Sequence, residues 1–421
     1  MNIKQLYQLF KKCSGISIDS RTLKRNEMFF PIKGPNFDGH HFVKEAIKRG
    51  ASHVIIDDKS YQQDKTILVH NTIEVLQQLA NHHRNEIGTV IVAITGSNGK
   101  TTTKELTHAV LSTDLKCGFT KGNLNNYLGV PLTLLSFDSS HDVGIVEMGA
   151  NHVGEIKLLA EIAEPDYGII TNIGKAHLQG FGGIDGVLKG KTELYKFLIR
   201  ERSHIFCNIR DSLLIEQLGT YPNYSFYDPK ELKVLPNNDL TLGFSLYGKE
   251  YKTQMAGMYN LPNIAVALEI ARVFKVPEDL ALKAITKYTP KNNRSQIVVK
   301  SGVKYLLDAY NANPNSMSLS IQNFKTLEGK PKILILGDML ELGKSYLEEH
   351  QKILQQSLEM EVDQIYTVGP KFKATNLKNP KLMNFNARHD LKTYLKKHPL
   401  VKDSLVLIKG SRGIKLEAIL D

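Results

Sequence analysis

Tryptophan is absent from this chain of 421 residues, and cysteine occurs only three times. No apolar run approaches the roughly 20 residues that a membrane-spanning helix needs. Cys13, Cys117 and Cys207 lack the spacing of a metal site, so we expect buried, reduced thiols. The N-terminal residues lack the apolar stretch of a signal peptide. These absences predict a cytoplasmic protein without a membrane span.

Acidic residues are fewer than basic ones. The chain has 43 Asp and Glu and 54 Lys and Arg, which gives a formal net charge of +11. Nucleic-acid binding is one explanation of such a charge. The basic residues are, however, spread along the chain, and the aromatic residues (8%) are not interleaved with them. An acidic small-molecule substrate, or simple lysine richness, explains the charge equally well. We therefore predict no nucleic-acid partner.

The most informative motif is Thr95-Gly-Ser-Asn-Gly-Lys-Thr-Thr102, which follows an apolar, strand-like run and precedes a helical pattern. Gly96 and Gly99 allow backbone N–H groups to turn onto anionic oxygens. Lys100 adds a mobile positive charge, and Thr101 offers a hydroxyl group to Mg²⁺. Together these residues predict a cradle for phosphate groups.

This loop is shorter than the usual P-loop, which has four residues between its first glycine and the Gly-Lys pair. Here the first-glycine position is Ile94, at the end of the apolar run 89–94, and the following helix is predicted over 105–111. The loop therefore predicts binding of a nucleoside triphosphate, in a manner unlike that of a GTPase or a helicase. The expected nucleotide-binding residues are Gly96, Ser97, Asn98, Gly99, Lys100, Thr101 and Thr102.

The chain divides into three predicted units, over residues 1–84, 85–297 and 298–421. The first has the pattern of a small α/β domain, and the polar segment 81–86 is expected to separate it from the phosphate-loop strand. In the other two, alternating strands and helices predict mostly parallel sheets with ligands at the carboxyl ends of the strands. Strands are predicted at 88–94, 143–148, 167–171 and 203–208, and at 304–308, 332–336, 364–368 and 404–408.

Two of these strands end in residues suited to a metal ion. Glu147 ends the strand 143–148 beside the phosphate loop, where a second Mg²⁺ ligand is needed. A solvated or helix-capping glutamate is the alternative, but the apolar flanks of Glu147 disfavour it. His177 follows the strand 167–171, and although a lone histidine is by default a surface or capping residue, this location favours a ligand role.

Lys189, Lys191 and Glu193 fall on one predicted helix, over 186–195. A solvated charged face accounts for three such residues, and their spacing alone does not favour a functional role over that explanation.

Three further clusters are polar. Asn260 and Asn263 precede a helix predicted over 264–274, where they can be simple caps. A predicted strand is followed by Asp308-Ala-Tyr-Asn-Ala-Asn-Pro-Asn-Ser-Met317, which is rich in side-chain amides that can form hydrogen bonds with a polar ligand. Lys409-Gly-Ser-Arg-Gly413 follows another and is typical of an anion-binding turn. The last two share the location of Glu147 and His177, just past strand ends, which supports a common site.

With these motifs in view, the chain resembles the Mur ligases of bacterial cell-wall synthesis over essentially its whole length. The short form of the phosphate loop is that of this superfamily and is shared with folylpolyglutamate synthase. The Asp-Asn-Pro-Arg motif of the diaminopimelate-adding branch is absent. The segments that point to the dipeptide-adding branch are 123–132, 147–152, 308–317, 336–343 and 409–412.

The resemblance implies a three-domain α/β ligase. It comprises an N-terminal UDP-sugar-binding domain, a central ATPase domain with a mostly parallel sheet, and a C-terminal Rossmann-like domain for the incoming dipeptide. It implies that ATP activates the terminal carboxylate of UDP-N-acetylmuramoyl-tripeptide as an acyl phosphate, and that D-alanyl-D-alanine then attacks. It also implies a monomer.

For the nucleotide and its metal ions, the resemblance implies that Lys100 contacts the β- and γ-phosphates. Thr101 and Glu147 would hold one Mg²⁺, and His177 would hold a second that shares Glu147. Lys191 matches a lysine that is carbamylated in the family, and a carbamate there would be a carboxylate-like Mg²⁺ ligand.

The remaining implied ligands lie in all three units. Asn263 would face the adenine, and Arg294 and Asp308 would contact the nucleotide when the C-terminal domain closes. The implied substrate-binding residues are Ser20, Arg21, Asp38, His40, Asn125, Asn126, Asn311, Asn313, Lys409 and Arg412.

Two positions depart from the family pattern. Tyr259 stands where a histidine is common, and Thr192 stands where a glycine usually follows the modified lysine. The second departure leaves Lys191 favoured over Lys189. Two alternatives also stay open, a different ligase of the superfamily such as folylpolyglutamate synthase, and a nucleotide-binding switch or nucleic-acid motor. The motif Asn311-Ala-Asn-Pro314 disfavours the first.

Overall fold

The computed structural model of the chain describes residues 1–236, 240–291 and 293–421. Its first unit is a parallel sheet in the order β1-β2-β5-β6, with a small antiparallel hairpin, β3-β4. Short apolar runs such as Val54-Ile-Ile56 form the buried centre of this sheet. The elements are α1 (Ile3–Phe10), β1 (Gly15–Ser17), β2 (Glu27–Phe29), β3 (Lys33–Gly34), β4 (Phe37–Asp38), α2 (Val43–Lys48), β5 (His53–Ile56), β6 (Thr66–Leu68) and α3 (Thr72–Ile87).

The polar segment 81–86, expected to separate the first unit from the phosphate-loop strand, is helical and forms the last part of α3. Asn71 caps this helix with its side chain, and Gly88 ends it in the left-handed conformation. The segment is amphipathic: His83 is buried, and one of its ring nitrogens lies 2.9 Å from the carbonyl oxygen of Phe137. Helix α3 therefore joins the first unit to the second by packing against both.

The central unit is built on a parallel sheet in the order β12-β11-β10-β7-β9-β8, with the phosphate-loop strand β7 inside it. The four strands predicted here are confirmed to within two residues at each end. The elements are β7 (Val90–Thr95), α4 (Lys100–Leu111), β8 (Cys117–Phe119), α5 (Gly129–Leu134), β9 (Val143–Glu147), α6 (Glu155–Ala163), β10 (Tyr167–Ile170), α7 (Leu178–Phe181), α8 (Ile184–Lys191), α9 (Glu193–Arg200), β11 (His204–Asn208), α10 (Ser212–Leu218), β12 (Tyr224–Tyr227), β13 (Lys233–Val234), β14 (Thr241–Leu246), β15 (Lys249–Ala256), α11 (Leu261–Val273) and α12 (Glu278–Lys287).

Two expectations for this unit are wrong. The single helix over 186–195 is two helices, α8 and α9, since the Thr192 hydroxyl donates to the carbonyl oxygens of Leu188 and Lys189 and disturbs the helix there. The strict alternation of strands and helices is interrupted by an antiparallel sheet, β13-β14-β15. Its hairpin turns at Tyr247-Gly248, both with positive φ, as in the tight turns that match strand twist.

The C-terminal unit is a second doubly wound sheet, in the order β16-β17-β21-β18-β19-β20, parallel except for β16. Its four predicted strands are confirmed to within one residue at each end. The elements are β16 (Gln296–Lys300), β17 (Val303–Asp308), α13 (Pro314–Thr326), β18 (Lys332–Gly337), α14 (Tyr346–Leu358), β19 (Gln364–Val368), α15 (Pro370–Lys373), β20 (Leu382–Phe385), α16 (Arg388–Lys397) and β21 (Leu405–Lys409). Among the described residues, no helix has the length and apolar content to cross a membrane.

Candidate active site

The phosphate loop joins β7 to α4, and its shape requires glycine at two positions. Gly96 has a φ of 138°, and a Cβ atom there would lie 2.0 Å from Oγ1 of Thr171. Gly99 has a φ of 83°, and a Cβ atom there would lie 2.6 Å from Oδ1 of Asn263. Any side chain would therefore clash with neighbours as well as strain the backbone. Helix α4 starts at Lys100, not at residue 105 as predicted, so its N-terminus opens directly from the loop.

The loop is fastened to the segment that follows β10. The Ser97 hydroxyl bridges the carbonyl oxygen and the N–H of Gly174, at 3.0 and 2.9 Å. The backbone N–H of Asn98 donates to Oδ1 of Asn172, and Thr171 donates to the carbonyl oxygen of Asn98 at 2.6 Å. Sequence reasoning treated Thr171 and Asn172 only as the approach to His177. Their polar side chains, at the end of the predicted strand 167–171 and directly after it, were the available signal.

Lys100 lies inside the loop. Its Nζ donates to the carbonyl oxygen of Gly96 at 2.6 Å and to that of Ser97 at 3.4 Å. Burial lowers the pKa of Lys100 to about 8; the carboxylate of Glu147 opposes this shift, and the guanidinium of Arg294 adds to it. At pH 7 the side chain therefore still carries its positive charge and can meet a phosphate.

Glu147, at the end of β9, is the centre of the site. Its side chain is 3% exposed, and its Oε2 accepts a hydrogen bond from the Thr101 hydroxyl at 2.9 Å. Asn125, whose substrate-binding role stays a prediction, donates to Oε1 at 2.8 Å. Nζ of Lys104 lies 3.4 Å from Oε2. Sequence reasoning missed Lys104, although it follows Thr101 by three residues and so shares its face of α4.

Opposing effects act on the Glu147 carboxyl group. Burial raises its pKa, but Lys104, Lys100 and Arg294, together with the hydrogen bond from Asn125, outweigh burial, so the pKa of Glu147 is lowered. Glu147 is therefore a buried carboxylate anion, the form that binds a divalent cation.

Lys191, the last residue of α8, is 1% exposed, whereas Lys189 is exposed. Its Nζ donates to the carbonyl oxygen of Ala150 at 3.2 Å and lies 5.2 Å from the ring centre of Phe181. Burial lowers the pKa of Lys191 well below its usual range, and Lys100 lowers it further. The shift favours the neutral amine form of Lys191, which is the nucleophilic form. Glu193 does not share a solvated face with it, because its carboxylate caps α6 through the N–H groups of Gly154 and Lys157.

His177 occupies the N-cap position of α7 with a φ of 53°. Its Nδ1 lies 2.5 Å from Oε2 of Glu341 in the C-terminal unit. The pairing with His177 lowers the pKa of Glu341. No hydrogen bond or ion pair joins His177 to Glu147 among the described residues, so the predicted sharing of a metal ion between them stays a prediction.

Asn260 and Asn263 do not cap α11 with their side chains, so the simple alternative for them is wrong. Asn263 accepts a hydrogen bond from the Thr103 hydroxyl at 3.1 Å and donates to Oδ1 of Asn260 at 3.0 Å. Asn260 in turn donates to the Ser295 hydroxyl, which also pairs with the hydroxyl of Tyr259, the residue that departs from the family pattern. This network links α4 to the start of the C-terminal unit.

Arg294 and Arg412 both approach Tyr310. The Arg294 guanidinium lies 3.8 Å from the centre of the Tyr310 ring, and that of Arg412 lies 5.5 Å from it. Arg412 also pairs with Glu417 at 2.7 Å. The Tyr310 ring, which sequence reasoning did not single out, therefore brings these two predicted ligands together.

Asp308 and Lys409, predicted as separate ligands, are paired with each other. Nζ of Lys409 lies 2.5 Å from Oδ2 of Asp308, which also accepts a hydrogen bond from the Ser320 hydroxyl at 3.0 Å. Lys409 also donates to the carbonyl oxygen of Asn311, whose own side chain is occupied by the N–H of Ala312. The pair thus shapes the loop that begins α13.

The C-terminal unit reaches the phosphate loop through that loop. Asn313 caps α13 by accepting from the N–H of Ser316, and its Nδ2 donates to Oδ1 of Asn98 at 2.7 Å. Lys175 and Glu349 form a second link between the two units, at 2.6 Å. The two sheets therefore meet with the phosphate loop between them.

The predicted ligands outside this centre form hydrogen bonds within their own segments. Arg21 pairs with Asp19, whose pKa it lowers to about 2, while Ser20 is buried beside them. His40 is 1% exposed, with its two ring nitrogens 2.7 Å from Asp38 and 3.1 Å from Asp57. Asn126 caps α5 by accepting from two backbone N–H groups. The structure does not connect these residues to the phosphate loop by a described hydrogen bond.

The donor set around Glu147 fits Mg²⁺. The hydroxyl of Thr101 and the carboxylate of Glu147 are hard oxygen ligands, and Mg²⁺ is usually held by one or two carboxylates plus substrate phosphates. The described residues contain no group of three or more His, Cys, Asp or Glu side chains that could hold a metal by themselves. A site completed by a nucleotide agrees with both facts.

Comparison with known families gives matches along most of the chain. Residues 12–84 match the description "Mur ligase family, catalytic domain", residues 94–271 match "Mur ligase middle domain", and residues 293–412 match "Mur ligase, glutamate ligase domain".

Individual proteins match over nearly the full length. UDP-N-acetylmuramoyl-tripeptide–D-alanyl-D-alanine ligase of Bacillus subtilis is 33% identical over 96% of this chain and 92% of that protein. The ligase of the same name from Escherichia coli is 29% identical over 96% and 92%. A crystal structure of MurF from Acinetobacter baumannii has a TM-score of 0.87, with 28% identity over 99% of this chain and 97% of that one. MurF from Thermotoga maritima, solved with ADP, has a TM-score of 0.85, with 26% identity over 98% and 97%.

Proposed function

Since the chain belongs to the Mur ligase family, we propose that its phosphate loop, Glu147 and the docked C-terminal unit form one ligase active site. The protein is an ATP-dependent ligase that joins D-alanyl-D-alanine to UDP-N-acetylmuramoyl-tripeptide and yields the pentapeptide precursor of peptidoglycan. The main support for a single shared site is the hydrogen bond from Asn313 to Asn98. This bond joins the C-terminal unit, proposed to bind the dipeptide, to the phosphate loop.

The first half-reaction is phosphoryl transfer. A carboxylate oxygen of the tripeptide attacks the γ-phosphorus of ATP, the bond to the β-phosphate oxygen breaks, and ADP leaves an acyl phosphate behind. Lys100 and the N-terminal N–H groups of α4 are positioned to receive the charge that develops on the phosphate oxygens. Mg²⁺ would neutralise further phosphate charge, with Thr101 and Glu147 as its protein ligands.

The second half-reaction forms the amide. The amine of the dipeptide attacks the acyl carbon, a tetrahedral intermediate collapses, and inorganic phosphate leaves as the amine loses a proton. Water would hydrolyse the acyl phosphate, so the site must be covered during this step. The contacts of Asn313 with Asn98 and of Lys175 with Glu349 support a C-terminal unit that provides the cover.

A carbamate on Lys191 is a further part of the proposal. A neutral lysine amine can attack CO₂, form an N–C bond and lose a proton, which leaves a negatively charged carbamate. The burial and lowered pKa of Lys191 favour the neutral amine. Once the carbamate has formed, the positive charge of Lys100, which acts on Lys191, would be attracted to it and no longer repelled. Such a carbamate would be a ligand for a second Mg²⁺ together with His177.

The remaining roles follow the domain order that the resemblance implied. Residues 1–84 would bind the UDP-sugar, residues 85–297 the ATP and residues 298–421 the dipeptide, in a monomeric cytoplasmic enzyme. The proposed nucleotide contacts are Asn263, Arg294 and Oδ1 of Asp308, the carboxylate oxygen that Lys409 and Ser320 do not contact. Because Lys409 is buried and paired with Asp308, we assign it to positioning that carboxylate.

One assay tests the reaction and both alternatives. Purified protein is incubated with MgATP, D-Ala-D-Ala and UDP-MurNAc-tripeptide, in separate reactions with L-Lys or meso-diaminopimelate as the third residue of the tripeptide. The mass of the product is then measured by mass spectrometry. We expect the pentapeptide and one ADP per amide formed. Glutamate addition to a folate, or hydrolysis stimulated by nucleic acid without an amide product, would contradict the proposal. Folylpolyglutamate synthase of Thermotoga maritima shares the fold alone, at 14% identity and a TM-score of 0.58.

A further inference from the structure

Lys104 is the one buried cation of the site that no sequence motif indicated. It lies on α4 and is 1% exposed, and its Nζ is 3.4 Å from Oε2 of Glu147. Among the described residues its ammonium makes no hydrogen bond. Its Nζ lies 5.7 Å from the centre of the Phe119 ring, and its charge also acts on His108. Glu147 is therefore the group that balances this buried charge.

Glu147 is held from both sides before any metal is considered. Thr101 donates to one carboxylate oxygen and Asn125 to the other. Three cations, Lys104, Lys100 and Arg294, act electrostatically on this single carboxylate. In a buried site such charges are weakly screened, so the local potential is positive and repels a free divalent cation.

We infer that Lys104 is a positioning residue that pairs with Glu147 and keeps divalent cations off this carboxylate until a nucleotide brings negative charge. The inference rests on the proposed role of Glu147 as a Mg²⁺ ligand. Its consequence is an order of binding. The metal ion enters as a complex with the nucleotide, whose phosphates offset the positive charge of Lys100, Lys104 and Arg294.

The test measures metal binding without nucleotide. Mn²⁺, which has similar ligand preferences and is visible by electron paramagnetic resonance, is titrated into the full-length, nucleotide-free protein. The buffer is free of CO₂, so that Lys191 stays an amine. We expect weak binding by the wild type and at least tenfold tighter binding of Mn²⁺ by Lys104→Met. Lys104→Gln provides a second neutral variant with the same expectation, and circular dichroism checks the fold of each.

Three controls isolate the ion pair. Lys104→Arg keeps the charge and should bind Mn²⁺ as the wild type does. Lys121→Met removes a different lysine from the cavity of 610 Å³ that Lys104 also lines, and it should likewise leave Mn²⁺ binding unchanged. Adding Glu147→Gln to Lys104→Met should abolish the gain. Equal binding by the wild type and both neutral variants, or a gain that survives the loss of Glu147, would overturn the inference.

Failure of the proposed function appears in a separate measurement. If Glu147 is a metal ligand, Glu147→Gln alone weakens binding of ADP in the presence of Mg²⁺ and leaves binding of ADP in excess EDTA unchanged. A variant that loses neither would contradict the metal role of Glu147, whatever the result with Lys104.

Discussion

The central and C-terminal units each bury a lysine beside a carboxylate at the carboxyl edge of a parallel sheet, but the two pairs differ in construction. Asp308 and Lys409 are direct neighbours in register on β17 and β21, and their charged groups lie 2.5 Å apart. Lys104 and Glu147 come from a helix and a strand, at 3.4 Å. The first pair is fixed by the sheet itself, whereas the second depends on how α4 lies across β9.

The difference indicates two uses of the same chemistry. Lys409 also donates to backbone carbonyl oxygens of the loop after β17, so its pair shapes the segment that presents Asn313 to Asn98. Glu147 is held by the side chains of Thr101 and Asn125, which are groups that a metal ion can replace or share. The Asp308–Lys409 pair therefore holds a loop in place, whereas under the proposed function the Lys104–Glu147 pair would hold a carboxylate that binds Mg²⁺.

The largest expected effect distinguishes the two carboxylates by activity. Glu147→Gln should reduce the turnover number by about 10³, since it removes the carboxylate on which Lys104, Lys100 and Arg294 act. Pentapeptide formation at saturating substrates is the measurement. Glu161→Gln, on the exposed side of α6, is the matched control and should retain activity.

Lys191 is a third buried lysine, and unlike the other two it has no carboxylate within ion-pair distance among the described residues. Lys191→Ala should lower turnover by about 10² or more, because the proposed carbamate cannot form. Added short carboxylates should restore part of the rate. Lys189→Ala, two residues earlier and exposed, should behave as the wild type. Full activity of Lys191→Ala would end the carbamate proposal.

Loss of the sheet-bound pair should appear mainly as loss of stability. Lys409→Met leaves Asp308 without its partner and should lower the free energy of unfolding by about 3 kcal/mol. Urea unfolding followed by circular dichroism measures this change, and Asp308→Asn in the same chain should recover part of it. Lys304→Met, at an exposed position of β17, provides the control. An unchanged midpoint for Lys409→Met would show that the pair is not a structural clamp.

A smaller effect is expected at the contact between the units. Asn313→Ser keeps a side chain that can cap α13 but is too short to reach Asn98. The lost hydrogen bond is worth about 1 kcal/mol, so the KM for ATP should rise about fivefold with little change in thermal stability. A drop in stability without a change in KM would mean that Asn313 acts by capping α13, and that its hydrogen bond to Asn98 does not contribute to ATP binding.

Stability should also depend on pH. The pKa of Lys100 falls from 10.5 to about 8 on folding, chiefly through burial. Between these values the unfolded chain binds a proton that the folded chain does not, so stability rises with pH in this window. The difference in unfolding free energy between the wild type and Lys100→Met should therefore increase between about pH 8 and 10 and stay constant below it. A difference that falls as pH rises would contradict the buried position of Lys100.

The sequence predicted the parts of the fold that depend on local patterns. Parallel strands such as β7 and β19 are buried on both faces, so each appears as an apolar run with turn residues after it. The helix over segment 81–86 was missed because its polar residues have partners in the central unit. Asn81 and Arg84 donate to backbone carbonyl oxygens there, and His83 is buried, which is a pattern visible only over the whole helix. The antiparallel sheet of β13, β14 and β15 was missed because its strands interrupt an otherwise regular alternation.

The candidate site was predicted unevenly for a similar reason. The phosphate loop is contiguous, so its glycines, Lys100 and Thr101 could be found in one motif. Lys104 and Thr171 act through contacts with Glu147 and Asn98, which are distant along the chain. The ligand roles of Asn126 and His40 stay predictions, and their polar atoms make hydrogen bonds or ion pairs at the start of α5 and with Asp38 and Asp57.

The sequence by itself determined which residues could bind phosphate, because a glycine-rich turn followed by lysine and threonine needs no distant partner to adopt its shape. It also determined that the carboxyl ends of parallel strands would meet along one edge. Only the tertiary structure decided how charges are balanced there, since an ion pair depends on distances between separate elements. It paired Lys104 with Glu147 and Asp308 with Lys409, and it left Lys191 buried with a lowered pKa.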